Sequence, residues 1–73
     1  LESEVKLYPN PVTDILTIEN TKGVVTIMDA AGKVLNQQFS KGFTSIDFSG
    51  YPKGAYFVNI SNGNVTKTHK ILK

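Results

Sequence analysis

Turn-forming residues recur every several positions along this chain, and the short runs between them alternate apolar with polar side chains. This spacing leaves no helical window and predicts an all-β fold of short antiparallel strands. The stiffest break is Pro9-Asn10-Pro11. Two prolines two residues apart cannot both sit in a paired ladder, because each lacks a backbone N–H and each drives its predecessor toward extended backbone. The tripeptide reads as a rigid corner, of use where a chain crosses between the two sheets of a sandwich.

The alternating runs place strands at Leu7-Tyr8 and at residues 14–19, 24–28, 33–39, 43–48, 55–60 and 65–72. Leu16, Ile18, Val25, Ile27, Ile46, Phe48, Tyr56, Val58 and Ile60 fall on the faces expected to be buried. Asp29-Ala30-Ala31-Gly32 carries a side-chain cap and a residue able to take positive φ, as a type I turn with a following bulge requires. Ser40-Lys41-Gly42 reads as a loop and residues 49–54 as a turn dense in breakers, while Asn62-Gly63 is the sharpest hairpin signal. The last strand alternates poorly, since Ile71 and Leu72 are adjacent and Lys67, His69 and Lys70 interrupt both faces, so it reads as an edge strand or a partly free tail. Seven short strands in this length predict an antiparallel β-sandwich of immunoglobulin-like type.

Seventy-three residues make a single domain, and a domain of that size buries only roughly 60% of the surface its unfolded chain exposes. Without cysteine, no disulfide assists the thin core. The net charge of +2 is mild, the lysines are dispersed and arginine is absent, which argues against a nucleic-acid partner. No transmembrane span or signal peptide is legible. The chain starts at Leu1 and its single methionine, Met28, lies within an expected strand, so the chain is expected to be a fragment of a longer protein.

The residue types for catalysis are present but not arranged for it. His69 with Asp14, Asp29 or Asp47 and a serine could supply a triad by composition, yet no elbow motif surrounds any serine. One histidine and no cysteine leave no metal set, and the glycines form no phosphate cradle, so neither cofactor, metal nor small-molecule substrate is expected. Asn59-Ile60-Ser61 and Asn64-Val65-Thr66 match a glycosylation pattern short enough to arise by chance. Tyr8, Phe43, Tyr51 and Phe57 could stack on sugars only as one exposed row, and they are not spaced as one.

Taken together, the punctuation resembles the C-terminal sorting domain, type A, of proteins exported by the type IX (Por) secretion system of Gram-negative bacteria. The resemblance rests on Tyr8-Pro9-Asn10-Pro11 followed by Asp14-Ile15-Leu16-Thr17-Ile18, the hairpin from Val25 through Asp29, Gly32 and Lys33 to Val34, and Ile46-Asp47-Phe48-Ser49. It continues through Tyr51-Pro52-Lys53-Gly54-Ala55-Tyr56-Phe57-Val58 and ends on His69-Lys70-Ile71-Leu72-Lys73. Met28 and Tyr51 depart from the usual pattern, in apolar exchanges that a core can repack around.

The resemblance implies a sorting signal rather than an enzyme. Such a domain follows a cargo domain in the same chain, crosses the periplasm, is recognised by the outer-membrane translocon and is removed by a sortase-like peptidase, leaving cargo on the cell surface or released. Residues 1–5 would then be the end of the linker, with cleavage near Leu1-Glu2-Ser3-Glu4, and 6–73 the sorting domain. Lys70, Ile71, Leu72 and Lys73 are the expected recognition residues, whereas Pro9, Asn10, Pro11, Asp29, Gly32, Lys33, Pro52, Gly54 and Tyr56 are assigned to shape. An uncovered edge leaves room for a weak homodimer. The competing reading is an immunoglobulin-like module that binds carbohydrate or protein within a larger secreted enzyme, and a third is a passive spacer.

Overall fold

The computed structural model describes residues 5–73; the expected linker end and cleavage region at Leu1-Glu2-Ser3-Glu4 lies outside the described residues. Among the described residues there are five strands: β1 (Lys6–Tyr8), β2 (Ile15–Asp29), β3 (Val34–Asp47), β4 (Ala55–Asn62) and β5 (Val65–Leu72). All pairings are antiparallel within one sheet. β3 runs along one side of β2 from end to end. The other side of β2 is shared, with β1 against Thr17, Ile18 and Glu19 and β4 against residues 24–29. β5 closes the order as the neighbour of β4.

The all-β antiparallel expectation holds, but the count of seven strands is corrected to five. Asn20 to Gly23 on β2 and Ser40 to Gly42 on β3, which look like breaks in the sequence, face each other, with Thr21 opposite Gly42, Lys22 opposite Lys41 and Gly23 opposite Ser40. Two breaks at the same level bend a ribbon without interrupting its pairing. Asn20 (φ 60°), Gly23 (φ 126°) and Gly42 (φ 132°) supply the bend, with a register shift between Glu19 and Thr21. At Gly23 a Cβ would lie 2.1 Å from the carbonyl oxygen of Ser61 on β4, so the close approach of the two strands requires glycine there. The Ser40 hydroxyl, buried at the bend, donates to the Thr21 carbonyl at 2.9 Å.

Buried side chains from both halves of the ribbon gather in one cluster. Leu16 and Ile18 of β2 and Ile46 and Phe48 at the end of β3 join Val25 and Ile27 of β2, Tyr56, Val58 and Ile60 of β4, Ile71 of β5 and Val12 after the corner. Phe48 meets Tyr56 edge-on at 5.4 Å between ring centres and Tyr51 at 5.1 Å, while Tyr51 and Tyr56 stack at 5.7 Å. Each such large side chain contributes about 1.5–3 kcal/mol on burial. In so small a core, the loss of any one is a large share of the net stability.

Candidate functional site

β5 pairs with β4 over its whole length, from Asn62 opposite Val65 to Ala55 opposite Leu72. The expectation of a partly free tail therefore gives way to an ordered edge strand. The reason lies in its inner face, where Ile71 is 2% exposed within the core. The hairpin that launches β5 has Gly63 and Asn64 as its loop and Gly63 at φ 64°, with Asn62 already in the ladder. Glycine at the first central position suits a type II′ turn, one residue later than Asn62-Gly63 suggested.

The register decides which backbone groups of β5 remain available. Gly54 and Lys73 exchange both N–H to C=O bonds, so every second residue back from Lys73 turns its polar groups toward β4. Thr66, Thr68, Lys70 and Leu72 turn theirs outward. At Leu72 they are already used: its N–H donates to Asn10 Oδ1 at 3.2 Å and its carbonyl accepts from Val12 N–H at 2.8 Å. No described strand pairs with the outer side of β5 at Thr66, Thr68 and Lys70.

The four residues expected to be read thus divide. Lys70 and Leu72 (48% exposed) present their side chains to solvent. Ile71 is buried, and Lys73 is anchored, its ammonium donating to the carbonyls of Phe48 and Tyr51 at 2.5 Å each. Those carbonyls belong to the turn after β3, which Asp47 holds by accepting from Ser49 N–H at 2.8 Å. The Ser49 hydroxyl and N–H, with the nearby Lys73 charge, lower the Asp47 carboxyl below its ordinary range.

The residues assigned to shape sit at corners and turns. Both bonds Tyr8–Pro9 and Asn10–Pro11 are cis, and Asn10 and Val12 in this corner seal the C-terminal end of the β5 edge. Asp29 Oδ1 accepts from the N–H groups of Ala31 and Lys33, each at 2.9 Å, and Gly32 takes φ 87° beside them. The Tyr56 hydroxyl donates to the Pro52 carbonyl, and Gly54 closes the ladder to Lys73.

The other candidate chemistries are scattered. The carboxylates of Asp29 and Asp47 serve their own turns, while Nε2 of His69 is buried without a hydrogen-bond partner. Among the described residues, no group of His, Cys, Asp or Glu gathers as a metal set would. Of the four aromatics considered for sugars, Tyr51 packs against Phe48 and Tyr56, Tyr8 donates to Glu19, and Phe57 is half-buried on β4. Phe43 is exposed, but it lies two rows of the sheet from Tyr8. Sequence reasoning passed over Phe39, the most exposed large apolar residue of the described chain. It was legible only as the odd member of a polar strand.

Comparison with known proteins places the chain in a family. The model of the family described as secretion system C-terminal sorting domain matches residues 6–73. No curated protein matches the chain.

Proposed function

Belonging to the family of secretion system C-terminal sorting domains, the chain is a sorting signal for type IX secretion, and we propose that the signal is read at the β5 edge. The family is one of secretion signals rather than catalysts, and its members are directed by way of the outer membrane to the cell surface or beyond. The observation that carries the reading is the row Thr66, Thr68, Lys70 on an ordered terminal strand. Among the described residues its outward backbone groups have no strand partner, and the Lys70 and Leu72 side chains flank its end.

An outer-membrane translocon component that adds a strand to this row would gain main-chain hydrogen bonds from Thr66 to Lys70 and specificity from Lys70 and Leu72. Ile71 and Lys73 act indirectly, by holding the strand in place. Residues 6–73 are the sorting unit. It follows a cargo domain of the same chain through the periplasm, and a sortase-like peptidase cuts within the preceding linker. The bent sheet, whose two halves share one core, serves as an immunoglobulin-like sandwich that keeps the edge flat and presentable. A second copy pairing at the same row accounts for a weak homodimer.

The test fuses the chain behind a signal peptide and a fluorescent reporter in a host with the type IX system. Wild type is expected to reach the surface or medium. The double variant Lys70→Glu, Leu72→Asn, whose side chains leave the core untouched, is expected to stay periplasmic with an unchanged unfolding midpoint. Equal export of the folded variant overturns the edge reading.

A further inference from the structure

The ribbon bend carries a second surface that the sorting edge does not use. Ser40 and Thr44 are buried, and Gln38 reaches across the bend to donate to the Thr44 hydroxyl and the Ser45 carbonyl, so this side of β3 lines the inside of the bend. Phe39, Lys41 and Phe43 alternate with those residues and stand on its outer side. Phe39 is 64% and Phe43 62% exposed. Across the ladder, Phe39 faces Val24, which is 38% exposed, Lys41 faces Lys22, and Phe43 faces Glu19. Lys6 lies beyond Glu19 in the same row. Glu19 accepts the Tyr8 hydroxyl and keeps its negative charge, but Lys6, Lys22 and Lys41 outnumber it and make the ridge positive.

We propose that this ridge is a docking surface for an anionic lipid bilayer, with Phe39 and Phe43 entering the interface and Lys22 and Lys41 meeting headgroup charge. The ridge is narrow, with Phe39, Val24 and Phe43 as its apolar residues. That is too little for a stable protein–protein interface, which needs on the order of 1,000 Å² or more. It is enough for reversible interfacial binding, in which a few apolar side chains and adjacent basic groups act together. The order Phe-Lys-Phe along one face places the ammonium groups at headgroup depth when the rings are immersed. This surface is separate from the β5 row, so binding and sorting can fail independently.

The test measures co-sedimentation of the 73-residue chain with vesicles of phosphatidylcholine containing phosphatidylglycerol, and with vesicles of phosphatidylcholine alone. Binding is expected only to the anionic vesicles and should weaken as salt shortens the range of charge attraction. Phe39→Ser with Phe43→Ser should weaken it at least about tenfold, the loss expected when even one buried ring is removed. Lys22→Gln with Lys41→Gln should weaken it several-fold, whereas Lys33→Gln with Lys53→Gln, equal in charge but away from the bend, should have a smaller effect. All these side chains are exposed, and unchanged unfolding midpoints certify the fold. The proposal is overturned by the absence of binding to anionic vesicles, by equal weakening in both lysine pairs, or by a dimer in light scattering that the serine variant abolishes without any effect on vesicles.

Discussion

Lys73 and Gly54 exchange both of their backbone hydrogen bonds, at 2.9 and 3.1 Å. This single pair sets the phase of the whole β4–β5 ladder. It commits Val65, Lys67, His69 and Ile71 to β4 and leaves Thr66, Thr68 and Lys70 facing outward. The same residue then reaches with its ammonium to Phe48 and Tyr51, so the end of the sheet is tied to the turn after β3. A terminal lysine that looks like a solubilising charge in the sequence is a structural fastener.

Replacing that fastener should be measurable. Lys73→Met keeps the stem but removes two charge-assisted hydrogen bonds to partly buried carbonyls, and a cost of about 1–2 kcal/mol is expected. Urea unfolding followed by tyrosine fluorescence reads it. Lys70→Met, on an exposed side chain of β5, should change the unfolding free energy by less than about 0.5 kcal/mol. Equal effects would mean that the bonds to Phe48 and Tyr51 add nothing.

The bend makes a sharper demand at one glycine. Gly23→Ala brings a Cβ to 2.1 Å from the Ser61 carbonyl oxygen at a backbone φ of 126°, and backbone strain with overpacking should cost about 2–4 kcal/mol. Gly50→Ala meets nothing within 4 Å and has no positive φ, so it should be neutral or stabilising by a few tenths of a kcal/mol. Thermal unfolding of the two variants side by side checks both.

How far the sequence carried this fold depends on the range of the interaction. The Asp29 turn was legible because its cap, glycine and closing N–H lie within five consecutive residues. The core faces of Leu16, Ile18, Val25, Ile27, Val58 and Ile60 followed from alternation alone. The strand count failed because Asn20–Gly23 and Ser40–Gly42 look like separate breaks until they are placed opposite each other, and cross-strand register is not written locally. The sealing of Leu72 by Asn10 spans 62 positions and left no trace in periodicity. Lys70 to Lys73 is expected as a recognition segment by resemblance alone, and its division into exposed Lys70 and Leu72, buried Ile71 and anchored Lys73 needed the register.

Acid should loosen the end of the sheet through Asp47. Its carboxyl is held below the ordinary range first by the Ser49 side chain and N–H and then by the Lys73 charge. A folded-state value below the unfolded one contributes stability that is present above the unfolded value and lost as pH falls through the folded one. The Asp47 carboxyl carbon, followed by NMR, should titrate below the ordinary aspartate range. Asp47→Asn should remove that part of the pH dependence while leaving the midpoint at neutral pH lower than wild type. A normal titration for Asp47 would mean that Ser49 does not hold the charged form.

Two proline substitutions separate an edge that is read from a strand that merely folds. Thr68 turns its N–H away from β4 and Lys67 turns its N–H toward Ile60, by the phase that Gly54 and Lys73 establish. Proline is tolerated on an edge strand where the missing donor faced solvent, so Thr68→Pro should keep the fold within about 1 kcal/mol of wild type. Lys67→Pro removes a ladder bond and should cost about 2 kcal/mol or more. If a partner adds a strand to this row, Thr68→Pro removes the central donor and blocks export of a reporter fusion even though the domain is folded. If export instead follows stability, Thr68→Pro passes and only Lys67→Pro is retained, and the edge then acts as part of the scaffold with recognition falling to the Lys70 and Leu72 side chains alone.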